Sequence, residues 1–287
     1  MKLTSMGGEG MKYFISASTA YTLSKNKHVR FLDCRFDLSN PNYGKEEFHK
    51  SHIPAAHYID LNKNLSGAKK QHGGRHPLPD LNTFSEFLGS IGISNDSIII
   101  CYDSGTHENA ARCLMLLKLI GHQTMFILNG GIDSWSKNNL PTTTELIMME
   151  PKNYHPRETE SFIVDHQVVS KSFEDTHSVL IDSREDIRYR GEVEPIDAIA
   201  GHIPTAVNYF WKNTLSENGL FKEKDELKEH FSAIPNEKEI IVYCGSGVTG
   251  CVNVLALEEA GYPNVKLYAG SYSDWISYSE NKVEKKL

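Results

Sequence analysis

Short apolar runs alternate with longer stretches of helical pattern along the whole chain. The first half contains VRFLDC, SIIICYD and TMFIL, and the second half contains SVLIDS, EIIVYC and VKLYA. Runs of this kind, rich in β-branched residues, are typical of strands buried in a parallel sheet. Stretches such as NTFSEFLGSIG and ENAARCLMLLKLIG lie between them and have the pattern of helices. The alternation predicts an α/β fold with helices flanking parallel sheets.

Four segments of the first half recur in the second half, in the same order. FLDCRF, with Asp33, matches LIDSRE, with Asp182, and SHIPAAHYI matches GHIPTAVNY. IIICYDSG, with Asp103, matches IIVYCGSG, with Cys244, and GHQTMFILNGGIDSW matches GYPNVKLYAGSYSDW. Because the order is preserved over all four matches, the sequence predicts a duplicated domain.

The repeat also suggests where the domains lie. We expect a first domain at 12–140, a linker at 141–160 and a second domain at 161–287. The linker stretch is polar and carries Pro and Thr residues, which is typical of a connection. The matched segments are further apart in the first half, which indicates an extra segment there, around NKNLSGAKKQHGGRHPLP.

Composition narrows the class of protein. The chain has 287 residues, of which 39% are hydrophobic and 23% are charged. These values suit a globular protein of two domains. The net charge of −7 argues against nucleic acid and against an anionic membrane as partners. No apolar run approaches the roughly 20 residues that span a bilayer.

The five cysteines are odd in number and follow neither a disulfide framework nor a paired zinc-ligand pattern. A reducing, cytoplasmic compartment is therefore expected. Free cysteine commonly packs as a small buried hydrophobe. We expect that role for Cys34, Cys101, Cys113 and Cys251.

Two interpretations compete for the stretch from Glu239 to Gly261, which reads as a strand, a glycine-rich turn and a helix. Gly245, Gly247 and Gly250 match the dinucleotide pattern G-x-G-x-x-G. A dinucleotide site needs an acidic residue about 20 positions further on to bind the ribose. The next strand, NVKLYAG, ends without one, so this interpretation is disfavoured.

The other interpretation centres on Cys244, where the strand ends. Residues 245–249 can curl so that successive N–H groups point inward, which glycine permits, and such a nest binds anions. The positive end of the following helix adds to the effect. Both features lower the pKa of a thiol and favour a nucleophilic thiolate. The first half has Asp103 at this position, so the fold itself does not require the thiol.

These motifs together resemble the tandem-domain rhodaneses, a family of sulfurtransferases. They are D-x-R at residues 182–184, GHIPTA at 201–206, CGSGVT at 244–249 and GSYSDW at 270–275, and the resemblance covers roughly 12–280. It implies two rhodanese-like domains, each with a central parallel sheet flanked by helices. The first domain is expected to be inactive, with Asp103 at the cysteine position. The cysteine of the second, Cys244, is expected to cycle through a persulfide.

The loop sequence separates members of the family by sulfur donor. Members that use thiosulfate resemble CRKGVT, with two cations that meet a dianion, whereas Gly245 and Ser246 are neutral here. CGSGVT resembles the 3-mercaptopyruvate sulfurtransferases, so 3-mercaptopyruvate is the favoured donor. Phosphatases of related fold use a loop one residue longer that ends in Arg, and Gly250 occupies that position. A phosphatase is therefore disfavoured.

The resemblance also implies roles for individual residues. Cys244 is the expected nucleophile, and Ser246 hydrogen-bonds the departing sulfur or relays a proton. Arg188, whose counterpart in the first half is Ser39, fits the arginine that binds the substrate carboxylate; a solvated surface arginine is the alternative. His76 resembles a histidine that reaches toward the cysteine, with a surface histidine as the alternative. The remaining substrate-binding residues are expected to be Gly245, Gly247, Val248 and Thr249.

The expected partners are a small-molecule sulfur donor and an acceptor, which is a thiol, thioredoxin or cyanide. No metal and no organic cofactor is implied. Two further functions stay open: a thiosulfate:cyanide sulfurtransferase, and a non-catalytic rhodanese module that binds partners or senses oxidants. In 3-mercaptopyruvate enzymes a second arginine commonly follows the first, and this chain has Ile196 at that place.

Overall fold

The computed structural model describes residues 10–157 and 159–286, and it divides into two compact units. The first unit takes the described residues up to Gly67, Pro79–Glu160 and Glu217–Phe221. The second takes Ala68–Leu78, Ser161–Ser216 and the chain from Lys222 onward. Most of the extra segment of the first half, Ala68–Leu78, is therefore part of the second unit. The boundaries 12–140, 141–160 and 161–287 remain predictions.

The first unit is built on a five-stranded sheet in which every strand pair is parallel, with the order β1-β5-β4-β2-β3. Its strands are β1 (Phe14–Ile15), β2 (Val29–Asp33), β3 (Ala56–Tyr58), β4 (Ile98–Tyr102) and β5 (Met125–Leu128). Its helices are α1 (Ala17–Leu23), α2 (Tyr43–Lys50), α3 (Leu81–Ser90), α4 (Glu108–Leu119) and α5 (Gly131–Lys137).

The second unit repeats this arrangement with the order β6-β10-β9-β7-β8, again all parallel. Its strands are β6 (Ile163–Val164), β7 (Ser178–Asp182), β8 (Val207–Asn208), β9 (Glu239–Tyr243) and β10 (Val265–Tyr268). Its helices are α6 (His166–Ser172), α7 (Asp186–Tyr189), α8 (Lys224–His230), α9 (Gly250–Ala260) and α10 (Ser271–Trp275), with a 3-10 helix at Trp211–Thr214. The predicted α/β fold, duplicated in tandem, is confirmed.

The central strands explain why the apolar runs are continuous. All of β4 is buried, as is β9 apart from its first residue, because helices cover both faces of each sheet. Tyr102 and Tyr243 occupy equivalent positions at the ends of these strands. Their hydroxyls accept hydrogen bonds from the N–H groups of Ile53 and Ile203, at 3.3 and 3.1 Å. Each strand end is thereby fixed to the H-I-P segment of its own unit.

The D-x-R motif forms the same buried ion pair in both units. Arg35 Nη2 lies 2.6 Å from Asp33 Oδ2, and Arg184 Nη2 lies 2.7 Å from Asp182 Oδ2. Each guanidinium also donates to a backbone carbonyl, that of Ser51 or Gly201. Since the pair occurs in both units, it serves the fold rather than one site. In the part of the chain that the structure describes, no helix is both long and apolar enough to cross a membrane.

We expect Arg35→Met to destabilise the first unit by about 3–5 kcal/mol, because it leaves the carboxylate of Asp33 buried without its cation. Denaturant unfolding followed by tryptophan fluorescence measures the change. Lys50→Met, which removes an exposed ion pair with Glu47, is the matched control and should have little effect. Equal unfolding midpoints for the two variants would contradict the structural role of the buried pair.

Candidate active site

The cysteine loop is shaped by a glycine at its centre. Cys244 follows β9, and α9 begins at Gly250 after its N-cap residue, Thr249. Gly247 has a φ of +75°, and a Cβ there would overlap the carbonyl oxygen of Ala269. Any other residue at 247 would therefore strain the backbone and collide with a neighbouring segment. The curled loop predicted from the sequence depends on this glycine.

The loop surrounds the sulfur of Cys244 with donors. The Gly247 N–H donates to Sγ at 3.1 Å, and the Ser271 hydroxyl lies 3.8 Å from Sγ. Cys244 is 1% exposed, and this burial alone would raise the pKa of its thiol. Hydrogen bonds from the Thr249 side chain, the N–H groups of Gly250 and Ser246, and the Ser271 hydroxyl outweigh burial, so the pKa is lowered. The thiolate is the form that acts as a nucleophile.

The equivalent loop of the first unit holds a carboxylate in the same kind of nest. Asp103 Oδ1 accepts hydrogen bonds from the N–H groups of Gly105 and His107, at 2.9 and 3.0 Å. Its Oδ2 accepts another from Ala110 at 3.2 Å. The loop of the first unit is thus occupied by its own carboxylate, whereas the corresponding position of the second unit carries the thiol of Cys244.

Ser271 was missed by the sequence reasoning. Its Oγ accepts the N–H of Cys244 at 3.1 Å, and its φ is +56°, which is uncommon for a residue with a side chain. The matching residue of the first unit, Gly131, has the same φ of +56°, and a Cβ there would overlap the carbonyl oxygen of Asp103. The replacement of glycine by serine between GGIDSW and GSYSDW was the available signal.

His76 and Ser246 are brought together. His76 lies on the Ala68–Leu78 segment of the second unit, and its Nδ1 is 2.9 Å from Ser246 Oγ. Both residues are buried. Because the Ser246 hydroxyl is engaged with an imidazole, it has a partner through which a proton can pass.

Arg188, on α7, is held in place by acids. Its Nη2 and Nε bind Glu194, at 2.8 and 3.2 Å, and Nη2 also lies 3.1 Å from Asp197 Oδ2. Glu194 further binds Arg184 Nη1 at 3.2 Å. The Arg188 side chain is 15% exposed. Its Nη atoms lie 3.7 and 3.8 Å from the point that a Cβ of Gly245 would occupy, so the guanidinium is beside the cysteine loop.

Arg75 is a second guanidinium at the loop, and the sequence reasoning did not identify it. Its Nη2 lies 2.8 Å from the point that a Cβ of Gly245 would occupy, and its Nη1 forms an ion pair with Asp197. Although the side chains of the loop carry no charge, the guanidinium groups of Arg75 and Arg188 lie beside it. Ile196, where a second arginine was sought, is exposed.

A cluster of three cysteines lies elsewhere, in the first unit. The sulfur atoms of Cys34, Cys101 and Cys113 are within 4.8 Å of one another, and the three residues are buried. Among the residues described, they are the one group of three or more His, Cys, Asp or Glu side chains close enough to share a metal ion. Burial raises the pKa of the Cys34 and Cys101 thiols well above the ordinary value. Hydrogen bonds with the Cys101 and Cys34 side chains lower the pKa of the Cys113 thiol to about 5.

A cysteine of lowered pKa in an amide nest, at the carboxyl end of a parallel strand, defines a class of cysteine-dependent enzymes on a duplicated α/β scaffold. The sequence model of the rhodanese-like domain matches residues 16–138 and 165–278. The chain belongs to the rhodanese family.

Individual relatives support this membership. The chain is 38% identical over 251 residues to a probable 3-mercaptopyruvate sulfurtransferase of Pseudomonas aeruginosa, a match covering 86% of this chain and 88% of that protein. It is 31% identical over 255 residues to a thiosulfate sulfurtransferase of Bos taurus, covering 86% and 85%. The crystal structure of SseA from Escherichia coli, a 3-mercaptopyruvate sulfotransferase, superimposes with a TM-score of 0.81 at 29% identity, covering 91% and 99%. The predicted family and its sulfurtransferase class are confirmed.

We expect the rate of Cys244 alkylation by iodoacetamide to reach half its maximum at a pH below the ordinary thiol range, because a lowered pKa extends the thiolate form to lower pH. Thr249→Val should move this midpoint to higher pH, because it removes a donor to the sulfur. Ser246→Ala is the matched control: its N–H remains, so the midpoint should stay in place. Modification is located by mass spectrometry, with Cys244→Ser as background. Equal midpoints for wild type and Thr249→Val would contradict this account of the thiol.

Proposed function

We propose that this protein is a sulfurtransferase that moves sulfur from 3-mercaptopyruvate to a thiol or cyanide acceptor through a persulfide on Cys244. The observation that carries the proposal is the set of donors around the Cys244 sulfur, which favours the thiolate despite its burial. The activities named for the Pseudomonas aeruginosa and Escherichia coli relatives support the same chemistry.

In the first step the Cys244 thiolate attacks the donor sulfur. The new S–S bond forms as the C–S bond of 3-mercaptopyruvate breaks, and the bonding electron pair stays on carbon as the enolate of pyruvate. The enolate takes up a proton and leaves as pyruvate. The overall change is Cys–SH plus 3-mercaptopyruvate to Cys–SSH plus pyruvate, and no external oxidant is required.

In the second step the acceptor removes the outer sulfur. The loop amides that lower the pKa of the thiol suit the persulfide anion as well, because both are sulfur anions in a nest of N–H groups. A thiol acceptor takes the sulfur as its own persulfide, and cyanide takes it as thiocyanate. Thioredoxin is the proposed protein acceptor. The described cysteines are all free thiols, which supports a reducing, cytoplasmic location.

Other residues around Cys244 bind the donor carboxylate, stabilise the sulfur anion and transfer the proton. Arg188 binds the donor carboxylate, since a planar guanidinium matches a carboxylate. The N–H groups of residues 245–249 hold the sulfur anion. The Ser246 hydroxyl and His76, joined at 2.9 Å, carry the proton that the enolate requires.

Thiosulfate is a second candidate donor, and one observation favours it. Arg75 and Arg188 place two guanidinium groups beside Gly245, and a dianion would interact with both. Asp197 binds both arginines, however, and Glu194 binds Arg188, so much of their charge is already compensated. The balance favours a donor with one negative charge.

We expect incubation of the wild-type protein with 3-mercaptopyruvate to add one sulfur atom to Cys244, because the persulfide is the stored intermediate. Intact mass followed by peptide mapping measures it. Cys244→Ser should gain no sulfur, and excess thiol should restore the original mass and release sulfide. Added sulfur on Cys244→Ser would refute the mechanism. Absence of steady pyruvate release would leave a non-catalytic binding or sensing module as the function.

We expect kcat/KM for 3-mercaptopyruvate to exceed that for thiosulfate by about tenfold or more, because compensation of the two arginines leaves little charge for a dianion. Steady-state assays of pyruvate and of thiocyanate formation, with cyanide as the shared acceptor, measure the two values. A higher value for thiosulfate would reverse the assignment of the donor and leave the persulfide intermediate intact.

A further inference from the structure

We propose that Arg75 is a specificity-determining residue that binds the anionic group of the sulfur donor together with Arg188; the proposal rests on the function proposed above. Arg75 lies in the Ala68–Leu78 segment, far from the cysteine loop in the sequence but in the same unit. No loop residue supplies a cation, and the guanidinium of this segment occupies the space beside Gly245 instead.

The geometry places both guanidinium groups on one side of the loop. The point that a Cβ of Gly245 would occupy lies 2.8 Å from Arg75 Nη2 and 3.7 Å from Arg188 Nη2. Gly245 directly follows the nucleophile, so an anionic group bound between the two arginines would hold the rest of a small donor close to Cys244. Two N–H-rich planes that converge on one point suit a carboxylate.

Asp197 holds the two cations together. Its carboxylate forms an ion pair with Arg75 Nη1 and lies 3.1 Å from Arg188 Nη2. Shared binding reduces the repulsion between the guanidinium groups and fixes their orientation. The Nε of Arg75 is buried and has no hydrogen-bond partner among the described residues. An unsatisfied buried donor is costly, and an anion within reach of Arg75 would satisfy it.

The segment is attached by contacts other than the ion pair of the Arg75 guanidinium with Asp197. The Gly73 N–H donates to Asp274 Oδ1 at 2.6 Å, and the backbone N–H of Arg75 donates to Ser273 Oγ at 3.0 Å. The His72 ring stacks on Tyr278 with centroids 4.0 Å apart. Since these contacts remain when the side chain is shortened, a variant of Arg75 tests the charge rather than the position of the segment.

The first experiment compares two alkylating reagents at Cys244, iodoacetate with a negative charge and iodoacetamide with none. Both attack the same thiolate, so the ratio of their rates cancels any change in the pKa of the thiol. We expect Arg75→Met to lower the iodoacetate to iodoacetamide ratio by about threefold to tenfold. Lys69→Met, which removes an exposed cation of the same segment, should leave the ratio unchanged. Equal ratios for wild type and Arg75→Met would overturn the proposal.

The second experiment is kinetic. With 3-mercaptopyruvate, Arg75→Met should raise KM about tenfold or more while kcat stays within about twofold, because it removes a contact made before and during the reaction. Attack of Cys244 on an uncharged organic trisulfide, which forms a mixed disulfide or trisulfide on Cys244 and releases the organic persulfide or thiolate, should proceed at the wild-type rate. Equal losses with both donors would show that Arg75 acts on the loop structure instead.

A double-mutant cycle that combines Gly245→Ala with Arg75→Met tests the contact between residue 245 and the Arg75 side chain. Gly245 does not have a positive φ, so the added methyl group meets chiefly the Arg75 side chain. The substitution should raise KM in the wild-type background and have little effect in Arg75→Met. Identical effects in both backgrounds would overturn the proposal. Failure of the wild type to form a persulfide with any donor would refute the proposed function instead, whereas the alkylation ratio still decides whether Arg75 binds anions.

Discussion

A ring of backbone N–H groups at the end of a strand requires an anion, and the two units of this protein meet that requirement differently. In the first unit the carboxylate of Asp103 accepts three backbone hydrogen bonds, from Gly105 and His107 of its own loop and from Ala110 of α4. In the second, the sulfur of Cys244 lies in the corresponding nest, and hydrogen bonds outweigh the effect of burial on its pKa. The same backbone arrangement therefore binds a carboxylate of its own chain segment in one unit and lowers the pKa of a thiol in the other.

The nest is held in place by neighbouring segments. The carbonyl groups of Cys244 and Gly245 accept the N–H groups of Tyr272 and Ser273, at 2.9 and 3.0 Å, so the start of α10 fixes the loop from one side. The Asp182–Arg184 ion pair lies at the end of the adjacent strand, β7. A strained residue, Ser271, completes the shell, and strain at such a position is often retained for function.

The sequence allowed the repeated α/β fold and the reactive cysteine to be predicted, because both depend on local pattern. Apolar runs mark the buried strands, and the comparison of Asp103 with Cys244 separates a requirement of the fold from a requirement of chemistry. Arg75 could not be found in this way. Its proximity to Gly245 follows from the path of a segment that joins the other unit, which no periodicity encodes. The convergence of Cys34, Cys101 and Cys113 likewise depends on tertiary packing.

Each half of the chain also contributes one short segment to the unit that is formed mainly by the other half. Phe221, from the second half of the chain, stacks on Phe14 with ring centroids 3.8 Å apart, and its N–H donates to Asn129 Oδ1 at 2.8 Å. The Ala68–Leu78 segment, from the first half, brings His76 to Ser246. Neither unit is therefore encoded by one uninterrupted stretch of the gene. Fission of the gene between the halves would separate Ala68–Leu78 from the second unit and Glu217–Phe221 from the first.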